Sequence, residues 1–95
     1  MIFWLSFVDT SKPKGGRFAG ACLVRADSFP AALSESWRHK CNPGGEVQGM
    51  QVPEDLEGCV LEGELNVLYT THEECEKVNR AMQGRVSELL EKVLH

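Results

Sequence analysis

No run of apolar residues in this chain approaches the ~20 that a membrane-spanning helix needs, so the sequence predicts no membrane segment and no membrane partner. CxxC pairs are absent too. Cys22, Cys41, Cys59 and Cys75 stand at near-even intervals, the pattern of separate small hydrophobes in a reducing cytosol, so disulfides are not expected and a cytoplasmic location is. The apolar opening, residues 1–8, lacks both a basic leader and a small-residue cleavage site, which predicts a core strand and not a secretory signal. With a net charge of -4 the chain also lacks the basic surface that duplex nucleic acid requires. At 95 residues it is too short for a second hydrophobic core, so residues 1–95 are read as a single α+β domain.

What is present reads in order along the chain. Residues 2–8 carry Phe3, Leu5 and Phe7 on one face and Ile2, Trp4 and Val8 on the other, predicting a strand covered on both sides. Residues 9–17 hold a proline, two glycines and three cations without one apolar side chain, the composition of a solvated hairpin loop. A second strand follows over 18–26, where Ala19, Gly20 and Ala21 leave room for another segment to approach closely. Ser28 is placed as an N-cap before Pro30. Phe29, Leu33 and Trp37, with Ala32 beside them, predict a helix ending near Cys41, with Asn42 supplying the left-handed cap. Residues 46–52 read as a third strand, and 65–69 as a short fourth edge strand.

Residues 54–76 contain eight carboxylates and neither Lys nor Arg, so 54–70 reads as an acidic loop region, its Glu54, Asp55, Glu57, Glu62 and Glu64 a solvated charge run. Thr71 with Glu74 forms a capping box that opens a helix over 71–95. At roughly 34 Å this amphipathic helix outruns a seven-residue strand of about 23 Å. Its overhanging apolar positions Val86, Leu89, Leu90 and Val93 therefore predict self-association through a homodimer or higher oligomer.

A hairpin between the first two strands and a right-handed crossover to the third give a three-stranded, mainly antiparallel sheet in ββαβ connection, order 2-1-3, with the most apolar strand central. That order sets residues 42–46 beside the loop 9–17. Lys12, Lys14, Arg17 and Arg38 would then gather near Asn42, Gly44 and Gly45, a cationic rim with accessible backbone amides. Such a rim suits a phosphorylated or nucleotide-like small anion, bound and sequestered without catalysis. Local causes also account for these features: Asn-Pro-Gly-Gly is a helix stop, and basic residues complement a helix C-terminus. The glycines follow a helix and precede a strand, the reverse of a P-loop or dinucleotide fingerprint.

Two further chemistries are open on composition. His39, Cys41, His72 and Cys75 comprise a zinc ligand set, but in no spacing typical of a zinc site; no metal and no cofactor is expected. The same residues give catalysis no nucleophile and base at a diagnostic spacing, so no enzyme is expected. The alternative reading is a protein-interaction or inhibitor module whose acidic stretch and long helix dock a basic partner.

The segments FWLSFVDTSKP, GACLVRADSF and NPGGEVQG give residues 3–53 a resemblance to a small family of uncharacterised bacterial and phage-associated proteins, with residues 42–47 its most specific element. The resemblance does not extend to the C-terminal helix and implies no activity or site residues. Small phage proteins include some that sequester nucleotide signals and some that cap host proteins, and by analogy either role is compatible with an acidic oligomer of this size.

Overall fold

Both faces of the first strand carry apolar residues; the face of Phe3, Leu5 and Phe7 is fully covered and the other in part. The computed structural model describes residues 1–94, with the side chains of Leu89, Val93 and Leu94 outside the described set. Strand β1 (Ile2–Val8) pairs antiparallel with β2 (Phe18–Arg25) on one side and with β3 (Glu46–Gln51) on the other. The sheet order is therefore β2-β1-β3, an α+β arrangement with the order that burial and handedness predict. On one face Phe3, Leu5 and Phe7 pack with Cys22, Val24, Ala32 and Cys41. On the other, Ile2 and Leu23 pack with Val52, Val60 and Leu65.

Helix α1 (Phe29–Arg38) covers the first face. The Ser28 hydroxyl caps it by accepting from the Ala31 amide at 3.2 Å, and Pro30 occupies the first turn, where its missing N–H costs nothing. Ala32 is fully buried and Phe29 and Leu33 pack against the core, as the stripe predicts, but Trp37 leaves it: Ser36 is buried instead and Trp37 is 60% exposed. Small side chains let the helix approach the sheet, which leaves the indole outside. Ser36 tolerates burial because its hydroxyl donates to the Leu33 carbonyl at 2.6 Å and accepts from Asn42 Nδ2 at 3.0 Å. The helix also ends earlier than expected. Lys40, not Asn42, takes the left-handed conformation (φ 59°), and Asn42 works through its side chain.

After β3 the chain makes two 3-10 turns, Glu54–Cys59 and Glu62–Glu64, before helix α2 (His72–Leu94). Residues 65–69 form no fourth strand. A left-handed Asn66 (φ 61°) breaks the extended run, leaving two single bridges to β2, Leu23 with Leu65 in parallel and Ala21 with Tyr69 antiparallel. These still occupy part of the outer edge of β2, and the small residues there permit it: a Cβ on Gly20 would meet Leu68 and the Tyr69 carbonyl. At the start of α2 the Glu74 amide donates to the Thr71 hydroxyl at 3.1 Å, which in turn donates to the Glu74 carboxylate at 3.2 Å.

The acidic region is not simply a solvated run. Glu64 forms a two-pronged ion pair with Arg85 of α2, both contacts 2.8 Å, and Arg85 also donates to the Cys59 carbonyl. Glu57 accepts from the Ile2 amide at 3.0 Å, and Glu62 meets Arg25 at 3.2 Å. The stretch lacks its own cations, so its partners come from other parts of the chain. Val78 and Met82 of α2 rest on the second core cluster, while Leu90, two turns further along, is 56% exposed. Among the described residues no helix is long and apolar enough to cross a membrane.

Candidate functional site

The register of β1 with β3 determines which loops share an end of the sheet. Val8, the last residue of β1, faces Glu46, the first of β3, so the segment before Glu46 lies against the chain leaving β1. Contact there is close enough to require glycine. Gly45 has φ +84°, and a Cβ on it would run into the Val8 carbonyl.

Between the two segments lies a cleft of about 450 Å³. Asp9, Lys12, Phe18 and Ala19 form one side; Pro43, Gly44 and Gly45 form the other. The hairpin loop is internally bonded. Asp9 N–H donates to the Arg17 carbonyl at 2.7 Å, and Arg17 Nε donates to the Lys12 carbonyl at 2.9 Å. Asp9 Oδ1 accepts from the Ser11 hydroxyl at 2.6 Å and from its amide at 3.0 Å. These contacts, the hydroxyl's first, hold the Asp9 carboxyl below the ordinary carboxylate range, so it stays ionised but committed to its own turn.

A β-bulge shapes the aromatic side. Phe7 pairs with Gly20 while Val8 pairs with Phe18, leaving Ala19 unopposed, and the irregularity falls where Phe18 and Ala19 line the cleft. Phe18 stacks on His72, the first residue of α2, with ring centroids 4.4 Å apart. The cleft thus combines the Lys12 ammonium with the ionised Asp9 carboxylate, glycine backbone and an aromatic ring.

Of the seven residues expected here, Lys12, Gly44 and Gly45 line the cleft together. Lys14 is exposed in the same hairpin loop, and Arg17 is tied to that loop's backbone. Asn42 supports the rim from behind, its Nδ2 bonded to Ser36 and its Oδ1 accepting from the Gly44 amide at 2.8 Å. Arg38 stays on α1, 3.4 Å from Glu35, and is not part of the lining. The stacking of Phe18 on His72 spans 54 sequence positions and has no local signal in the sequence.

The metal and nucleophile candidates are dispersed. His39 faces Glu35 at 3.1 Å, His72 stacks on Phe18, Cys41 is buried, and Cys75 is half-buried on α2. Among the described residues no group of three or more His, Cys, Asp or Glu side chains is placed to hold a metal ion. All four cysteines are free thiols. Burial pushes Cys22 and Cys41 up, which keeps both as neutral core side chains. Comparison with protein-family models, with curated proteins and with solved structures found no match to this chain.

Proposed function

We propose that this chain is a non-enzymatic binding protein that sequesters a small phosphorylated or nucleotide-like anion in the cleft between Lys12 and the Gly44–Gly45 bend. The observation that carries the reading is the meeting of the hairpin loop and the glycine bend around one roughly 450 Å³ space that Lys12 faces. Lys12 supplies the charge for a phosphate, opposed in part by Asp9, whose carboxylate is taken up by Ser11, and glycine backbone without side chains lets the ligand come close. Lys14 and Arg17, in the same loop, add to the local field, whereas Arg38 has no part in direct contact. The Phe18–His72 stack offers a surface for a base.

The acidic-module alternative has less support, because Glu57, Glu62 and Glu64 are engaged within the molecule. Self-association through α2 is a companion proposal, supported by exposed Leu90 and by a molecule 51 Å long and only 19 Å across its shortest axis. Val86 is half-buried, and Leu89 and Val93, expected to share that interface, have side chains outside the described residues. Leu90→Glu should convert an oligomer to a folded monomer in sedimentation; an unchanged mass would count against the helix interface.

The ligand proposal is tested by a thermal-shift screen with inorganic phosphate, AMP, cyclic dinucleotides and ADP-ribose. A ligand at 100 times its dissociation constant raises stability by about 2.7 kcal/mol. Binding should give a concentration-dependent rise in Tm that Lys12→Glu removes while leaving the unliganded Tm in place. A flat response across the panel would refute it.

A further inference from the structure

A second cavity, separate from the glycine rim, lies between α2 and the sheet face it partly covers. Its volume is about 420 Å³, within the range of roughly 300–1,000 Å³ typical of small-molecule pockets. It exists because α2 does not close over the sheet: Val78 and Met82 rest on the core, and Arg85 anchors the helix to Glu64. Trp4, Leu23, Val52 and Leu56 supply apolar walls, with Met50 and Met82 adding thioethers that adapt to a ligand's shape. Tyr69 lies near-parallel to Trp4, with ring centroids 6.3 Å apart.

Two polar residues, Glu76 and Asn79, complete the lining, and Glu76 is its one charged group. Cys75 beside it contributes a neutral wall, since burial and then Glu74 push its thiol up. An apolar chamber with an aromatic face and one carboxylate is complementary to a ligand with an apolar body and a positive end. The carboxylate pairs with the charge, and an indole face attracts a cation by its quadrupole. We propose that this cavity binds a small amphipathic amine, its hydrocarbon or aromatic body against Trp4, Leu23 and Leu56 and its ammonium at Glu76.

The cavity and the glycine rim sit at opposite ends of β3, so occupancy of one can be read without the other. The experiment titrates 4-phenylbutylamine, 4-phenylbutanol and 4-phenylbutyrate into the Trp37→Phe protein, whose remaining indole, Trp4, reports binding by its emission. The expected order is amine, then alcohol, then carboxylate, with the amine about three- to fivefold tighter than the alcohol, as suits an exposed charge pair. Glu76→Gln should bring amine and alcohol to within about twofold of each other. Asn79→Phe, which fills the mouth from an exposed helix position, should weaken all three probes with the helical circular dichroism unchanged. No change in Trp4 emission with any probe would overturn the proposal. Equal binding of all three with no response to Glu76→Gln would also overturn it, as would Trp4 shielding that tracks a protein dimer in sedimentation instead of probe concentration.

Discussion

Glu64 and Arg85 make a two-pronged, half-buried ion pair, and its consequence is acid sensitivity. The Arg85 hydrogen bonds, opposed in part by burial, hold the Glu64 carboxyl below its ordinary 4.5. The pair therefore stabilises the fold fully above that value, and the contribution is lost as pH falls through the lower folded-state pKa. Glu64→Gln should cost about 2 kcal/mol at neutral pH, as expected for charge-assisted hydrogen bonds in a half-buried setting, and should flatten the acid limb of a urea-midpoint against pH profile. A variant whose profile overlays the parent's would show that the contact carries no such weight. Gly45→Ala combines a left-handed backbone with a Cβ driven into the Val8 carbonyl, so it should lose about 1–3 kcal/mol in chemical denaturation. Local signals such as Ser28 before Pro30 and Thr71 before Glu74 were legible because each contact closes within a few residues. Glu64 with Arg85 and Phe18 with His72 were not, since they depend on where a distant helix lands.

At the scale of elements, the two helices are fixed by different forces. Helix α1 is held by packing: periodicity placed Phe29, Ala32 and Leu33 on the core correctly, but hydrophobicity favoured Trp37 over Ser36 for the last buried position. Helix α2 is fixed by contacts spread over its first four turns, from the Thr71 cap through Val78 and Met82 to the Arg85 clamp. Thr71→Ala should therefore cost about 1 kcal/mol and raise hydrogen-exchange rates first at the amides of residues 73–75, before the sheet responds. The strands were the most legible elements. Apolar residues on both faces identified β1 as central, and strand order followed from connection handedness. The 65–69 segment alternates like a strand, yet Asn66 takes a left-handed turn, and alternation carries no information about φ.

Across the whole molecule, charge is arranged by the fold and not by the chain order. Acids from the 54–76 stretch are drawn onto Arg25 and Arg85, while Lys12 sits in the loop facing the glycine bend. The meeting of those two loops was legible because it follows from the strand order and the antiparallel direction of β3 beside β1. Its composition was only half legible: side-chain bonding within the loop and on α1 withdraws Arg17 and Arg38 from direct contact. The most direct test of the binding proposal is amide NMR of the isotopically labelled protein as AMP is added. Saturable shifts concentrated at Lys12, Gly44 and Gly45, absent in Lys12→Glu, are the predicted result. An unperturbed spectrum, or shifts that bypass the two glycines, would contradict it.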